Sequence, residues 1–396
     1  MKKFILLHCL CALYASAATY DITSFGASTS SEPKINAKAI QAAIDKAHNE
    51  GGGEVYIPEG TFISGTIWLK SNVSLKLSSG ARLKASPNLS DYNKENAYPE
   101  NWHSKAEYWN GCHFIIARHA HNSSIYGPGI IDGNGDAFFE EHPRAYYSWM
   151  KSTSKIWWNG IRWAKDKTNL RPGQLVVFIK SNNVIVDGIT IKNSPCWSMF
   201  LWGCKDIKVT NYTVRNGADD GNTDGIDFDC CENVLLENAD IDTGDDGVAI
   251  RASSRSKATH GGKLGAPRIT DNVRVKNCKI SCTSSVVRIG VGDGIIQNVV
   301  IENVKVINRG GKAATIATAF GSPQNKGTDI SNVTFKSCDF TSCRGGPEIT
   351  SNGGTELKFG IRKILFENCT FGKNKPIISS YRGVEFPVDP KEILIK

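Results

Sequence analysis

The chain has 396 residues, 40% of them hydrophobic and 22% charged, with a net charge of +8 at pH 7. That balance excludes a disordered polyelectrolyte and leaves enough apolar side chain for a real core. The mild positive charge suits an acidic partner such as a polyuronide, nucleic acid or an anionic surface, and equally suits a merely soluble exterior.

The N-terminus reads as a secretory signal. Lys2-Lys3 is a charged start, Phe4 to Tyr14 an apolar run, and Ala15-Ser16-Ala17 a small-residue cleavage site. No later run is long and apolar enough to span a bilayer. Residues 1–18 are therefore expected to be removed, and residues 19–396 to form one exported domain, secreted or periplasmic, monomeric and free of the membrane. Cys9 and Cys11 leave with the signal, so ten cysteines remain. An oxidising compartment permits disulfides, with Cys196/Cys204, Cys278/Cys282 and Cys338/Cys343 as close pairs. The alternative is a set of small thiols buried inside a solenoid. No cysteine spacing comes with the histidines of a metal site, and neither a metal nor another cofactor is expected.

From Thr19 to about Asp91 the pattern is mixed. Asn36 is placed to cap a helix through Ala37, Ile40, Ile44 and Ala47, which recur at helical spacing, and Gly51-Gly52-Gly53 stops it. Strand-like stretches follow at Val55-Tyr56-Ile57, Thr66 to Leu69 and Val73 to Leu77. The segment from Tyr92 to Gln174 is long and rich in aromatic and charged residues, but Phe114 to Ala117 and Ser124 to Asp132 read as strands.

The rest of the chain repeats. The segments beginning at Asn183, Asp206, Asn233, Asn272, Asn298, Asn332 and Lys363 share one pattern, typically Asn-Val-x-Val, and start 23 to 39 residues apart. Most lead into a second short strand, as at Ile189-Thr190-Ile191. Alternation puts one face of each strand inside. Asn and Gly at matching corners supply left-handed backbone, and stacked Asn side chains can bond along the column. Irregular spacing is what a solenoid gives when each coil carries its own loop. The expected fold is all-β, a single-stranded parallel β-helix whose open end is covered by the N-terminal helix. A sandwich would lack the repeated Asn-Val starts, and a propeller would repeat more regularly.

Two runs in this repeat carry the chemistry: Asn222-Thr223-Asp224-Gly225-Ile226-Asp227 and Gly244-Asp245-Asp246-Gly247. They lie about one repeat apart, so a β-helix would stack them on neighbouring coils only ~4.8 Å apart. Crowded carboxylates repel and cost stability. Their most direct use is as acid and base on a glycosidic bond. A lone Asp of this kind would be turn chemistry.

With these runs the chain resembles glycoside hydrolase family 28, the polygalacturonases and their relatives. The resemblance covers nearly the whole mature chain. It rests on Tyr20 to Ala27, Gly51 to Val55, Ile57 to Thr61, Ile125 to Gly133, Asn193 to Trp197 and the two aspartate runs. It implies a right-handed parallel β-helix and single-displacement hydrolysis with inversion. Asp245 would be the general acid, kept protonated by its like-charged neighbours. Asp224 and Asp246 would hold and activate water, with Asn222 beside them on the substrate. Acid and base of an inverting enzyme are expected ~6.5–9.5 Å apart. The implied substrate is an acidic, plant-type polysaccharide or oligosaccharide, not nucleic acid.

The chain departs from the family at two places. Ser285 stands where the family carries a histidine, and Thr315 and Ala317 stand where it carries an Arg and a Lys that grip a galacturonate carboxylate. Arg251 and Arg288 are candidates to compensate, although Arg251 could pair with a structural Asp instead. Arg288, bracketed by Val287 and Ile289, should share a face with neither. Arg255, Lys257, His260, Lys263 and Arg268 form a basic loop that is either solvated or a substrate lip, with His260 a candidate replacement for the missing histidine. Trp157, Trp158, Trp163, Trp197 and Trp202 could stack on sugars or fill core. Two other functions stay open. One is a calcium-dependent lyase, with Asp219, Asp220, Asp224 and Asp227 on the metal and Arg251 or Arg288 as base. The other is a non-catalytic glycan-binding β-helix.

Overall fold

Three parallel sheets of 12, 11 and 10 strands run along the chain, from Thr19–Asp21 to Ile393–Ile395. The computed structural model describes residues 18–94, 97–101, 111–141, 162–164, 171–253, 269–319, 327–352, 357–373 and 375–396. Residues 1–17 of the expected 1–18 signal segment, the basic loop with His260, and Trp157 and Trp158 lie outside them. Each coil gives one strand to each sheet. Asn182–Asp187, Thr190–Lys192 and Met199–Trp202 make one coil, and Lys205–Thr210, Thr213–Arg215 and Ile226–Asp229 make the next. This is the parallel β-helix that the repeat implied.

All seven repeat segments fall in the 12-stranded sheet, stacked in chain order. Their register is in phase: Val184, Ile207, Val234, Val273, Val299, Val333 and Ile364 form one inward column. All seven are buried. The residues that open the segments, from Asn183 to Lys363, all have φ between 54° and 57°. That left-handed turn costs most side chains energy but suits Asn and Asp, which bond locally. The column bonds as expected: Asn272 donates to Asn233 at 3.0 Å, and Asn233 to Asp206 at 2.8 Å. At the following step Asn298 reaches Asp271 instead, at 2.7 Å.

One α-helix is present among the described residues, α1, Pro33–Asn49. It begins three residues before the cap expected at Asn36. Pro33 supplies the helical φ at the first turn, where its missing N–H is no loss. Asn36 is inside the helix and fully buried, where it ties Ser28 and Ile63 to α1. Ala39, Ile40, Ala43, Ile44 and Ala47 share one core with Val55 and Ile57 of the first coil. No helix among the described residues is long and apolar enough to cross a membrane.

The three suggested disulfides do not form: Cys204, Cys278, Cys282, Cys338 and Cys343 are free thiols. They take the other option open to them, as small buried side chains. Cys204 donates to the Phe178 carbonyl at 3.3 Å, and Cys231 one coil on donates to Leu201 at 3.3 Å.

Candidate active site

The 11-stranded sheet carries the site on its outer face. Ile226 and Phe228 point into the core, so Asp227 and Asp229 point out of it. Val248, Ile250 and Ala252 do the same on the next strand and leave Arg251 outward. Ile226 pairs with Val248, and the ladder continues below the strands, where Gly225 N–H donates to the Asp246 carbonyl at 2.9 Å. Asp224 therefore stands over Asp246 on adjacent coils. A further coil on, Gly247 N–H donates to the Ser285 carbonyl at 2.8 Å, which aligns Ser285 with Asp246.

Close approach at this corner needs glycine. A Cβ on Gly225 would sit 2.4 Å from the Gly247 carbonyl oxygen, and one on Gly247 would sit 2.7 Å from that of Val286. A buried polar scaffold fixes the same turn. Asn216 donates to Ser198, to the Thr223 carbonyl and to Thr243 at 2.9, 3.1 and 3.2 Å. Arg171, 1% exposed, donates to the Gly221 carbonyl at 2.7 Å and to the Asn222 side chain at 2.9 Å. Asn222 has φ of 55° and gives its own N–H to Asp245 Oδ2 at 3.0 Å. Arg171 and Asn216 carry no motif in the sequence; they act only through the coils they join.

The three aspartates meet. One carboxylate oxygen from each of Asp224, Asp245 and Asp246 lies within 4.8 Å of the others. That is closer than the acid–base separation expected from the sequence, because the coil step sets the distance. Asp224 and Asp246 are 5% and 3% exposed, while Asp245 is half-buried. The four carboxylates suggested for calcium do not converge. Asp219 is exposed, Asp227 is fully buried, and the group that gathers is the Asp224–Asp245–Asp246 set.

Burial pushes the Asp224 carboxyl well above the usual range, and the charges of Asp227, Asp245 and Asp246 push the same way. Asp246 is equally buried but is held below the usual range by the Arg288 guanidinium, helped by Ser284 and the Ser285 N–H. Arg288 donates Nε and Nη2 to the two oxygens of Asp246, and the Ser285 N–H reaches it at 2.8 Å. Below the cluster Asp227 is raised by burial against the pull of Arg251, and Asp229 is pushed up to about 6 in the same way.

Arg251 and Arg288 both face outward, but they serve different carboxylates. Arg251 lies 3.9 Å from Asp227 and 3.7 Å from Asp229, over the Trp197 ring at 4.7 Å. It is thus paired with structural aspartates, as one of its two expected roles required. Arg288 belongs to Asp246 and shares its face with neither Val287 nor Ile289, both of which are core. Ser285 and Thr315, at the histidine and arginine positions of the resemblance, bond each other at 2.7 Å. Trp197 and Trp202 are 5% and 0% exposed in a second apolar cluster with Phe200 and Tyr98. They pack; they do not offer a face to a sugar. A cavity of about 620 Å³ runs from Arg288, the partner of Asp246, to Arg382.

The family model of glycosyl hydrolases family 28 matches residues 52–371. An endo-polygalacturonase of Pectobacterium parmentieri is 30% identical over 339 residues, covering 78% of this chain and 79% of that enzyme. Among solved structures, a family 28 exopolygalacturonase of Yersinia enterocolitica superposes with a TM-score of 0.67 at 21% identity, covering 93% of this chain and 69% of that one. An exopolygalacturonase of Thermotoga maritima gives 0.63 at 20%, covering 96% and 92%. At such identities the two structures establish the fold alone.

Proposed function

This chain belongs to glycosyl hydrolases family 28 and is a glycoside hydrolase, and we propose that it cleaves a galacturonate-containing pectic polysaccharide or oligosaccharide with inversion. The convergence of Asp224, Asp245 and Asp246 within 4.8 Å carries the hydrolytic reading, while inversion rests on the family and not on that spacing. The net charge of +8 and the similarity to an endo-polygalacturonase support an acidic substrate. The Lys2-Lys3 start, the apolar run after it and Ala15-Ser16-Ala17 support export.

In so tight a set the protons belong to the group. Asp246, pinned by Arg288, stays ionised and acts as base toward water. Asp224, raised by burial and by its like-charged neighbours, retains a proton within the set. Asp245 is the most exposed of the three, so it is the member assigned to deliver the proton to the leaving oxygen, while Asp224 and Asp246 hold the attacking water. The cluster is tighter than the ~6.5–9.5 Å usual for inverting enzymes.

The experiment is release of reducing ends from polygalacturonate, with the first product's anomeric configuration read by NMR. Inverted product is expected, and retained configuration would overturn the water-holding role of Asp224 and Asp246. Product absorbing as an unsaturated uronide, and lost with a chelator, would replace hydrolysis by calcium-dependent elimination.

A further inference from the structure

The cavity beside the carboxylates has a neutral floor. Thr315, Ala317, Thr350, Asn352 and Ser379 offer hydroxyls, one amide and a methyl. Two of the cations in its walls are already matched. Arg288 is held by Asp246, and Lys312 by Glu348. Arg382 is exposed, lines the far wall, and makes no ion pair with a described carboxylate. Next to it Tyr381 is 50% exposed, with its backbone pinned to the Ser351 carbonyl at 2.9 Å.

The ladder places these residues along the cleft. Arg288 pairs with Thr315, Thr315 with Glu348, and Glu348 with Ile377, so the strand that ends at Ser380 lies three coil steps past Arg288. Three steps span ~14 Å. One step of ~4.8 Å is close to the length of one pyranose unit, so a chain laid along the stack puts successive sugars on successive coils.

We propose that Tyr381 and Arg382 form a distal uronate-binding site, three coils past Arg288 and four to five residues further along the strand, at least three sugars beyond the one beside Arg288. Its occupant is a uronate residue of the polymer already bound at the carboxylates, so the site rests on the function proposed above. The Tyr381 ring supports the C–H face of the sugar. The Arg382 guanidinium holds its carboxylate through paired N–H donors, a geometry that lysine does not reproduce. Sugars in between lie on the hydroxyl floor and need no charge there. The site makes binding depend on chain length as well as on charge.

The test is titration calorimetry on the catalytically disabled Asp245→Asn protein with oligogalacturonates of increasing length. Affinity should step up about tenfold once the oligomer spans the cavity. In the same background Arg382→Ala should remove that step and leave the shortest binding oligomer unchanged. Arg382→Lys should recover part of it, and Tyr381→Ala should lose it where Tyr381→Phe keeps it. Uncharged galacto-oligomers of equal length should show no step. Affinity unchanged by Arg382→Ala at every length, or lowered equally at all lengths, overturns the distal site. Reducing-end release by the wild-type enzyme from polygalacturonate separates the two readings. Activity without a length step sinks the distal site alone. No activity on any galacturonate polymer sinks the function, and an absence of oligogalacturonate binding would then remove this site with it.

Discussion

Arg288 clasps Asp246 across one coil step, with Nε on one carboxylate oxygen and Nη2 on the other. The pair is nearly sealed, at 18% and 5% side-chain exposure. This one contact keeps a buried carboxylate charged in a cluster of like charges, and so decides which aspartate is the base.

Removing the guanidinium should therefore shift the pH profile. Asp246 is depressed in the wild type, so its base form survives to low pH. In Arg288→Gln its pKa rises, and the acid limb of kcat/KM moves to higher pH. Arg288→Lys keeps the charge but not the fork, and should shift the limb less. Truncation to Ala strands a buried charge and should also cost ~3–5 kcal/mol of stability, read by urea denaturation. An acid limb that stays in place in Arg288→Gln would remove Asp246 as the base.

Asp245 is the half-buried member of the set, so its replacement by Asn should separate chemistry from folding. Reducing-end release should fall by at least ~10²–10⁴, the usual contribution of a general acid. Thermal stability should change by less than ~1 kcal/mol. Activity that persists above a trace would move the acid role to another residue.

Asp224→Asn should behave differently, because Asp224 is buried with its pKa raised. A carboxyl raised in the folded state binds more protons there than in the unfolded chain. Its linkage therefore lowers stability as pH rises from the unfolded value, near 3.9, up through the folded one. The Asn variant lacks that decline. It should be inactive yet melt higher than wild type at pH 8, with the difference shrinking toward pH 4. Equal melting curves at both pH values would mean that Asp224 is not strained by its neighbours.

The corners of the stack supply a test of the fold itself. Asn272 has φ of 54° and donates to Asn233 at 3.0 Å. Asn272→Ala loses the bond and pays for left-handed backbone, at ~1–2 kcal/mol for the conformation alone. Asn272→Gly loses the bond and some chain entropy but adopts the left-handed corner without that steric cost. Chemical denaturation should rank wild type, Gly, then Ala.

How much of this was legible in the sequence follows from where each signal lives. The Asn-Val starts were readable because each encodes two local demands, a corner that turns left-handed and a next side chain that faces inward. The carboxylates were readable because each run is short and contiguous. Their separation was not, since a spacing of 22 residues between Asp224 and Asp246 says nothing until the ladder sets the register. The burial of Trp197 and Trp202 depends on Phe200 and on Tyr98, about a hundred residues earlier in the chain. Arg171, Tyr381 and Arg382 lie in stretches without a repeat, and only the stacking of coils brings Arg171 under the Asn222 turn and the other two to the cavity. The cysteine pairs failed because nearness in sequence is not nearness in a coil. Cys204 and Cys231, 27 residues apart, stack on adjacent coils, and each thiol turns to a backbone carbonyl.

Gly225 gives the last prediction, because it lies between packing and catalysis. An added Cβ would meet the Gly247 carbonyl oxygen at 2.4 Å and the Ile241 side chain at 2.6 Å. Ile241 can shift, but the carbonyl belongs to the ladder that joins the two aspartate coils. Gly225→Ala must therefore push the Asp224 turn away from Asp246. Overpacking of this kind costs ~1–3 kcal/mol, which a long stack should survive. Activity should suffer far more, since a displacement of ~1 Å among reacting groups can cost ~10²-fold. The expected result is a folded protein with a modestly lowered melting temperature and kcat reduced by two orders of magnitude or more. Full activity in a stably folded Gly225→Ala variant would show that the spacing of Asp224 over Asp246 is not what the chemistry depends on.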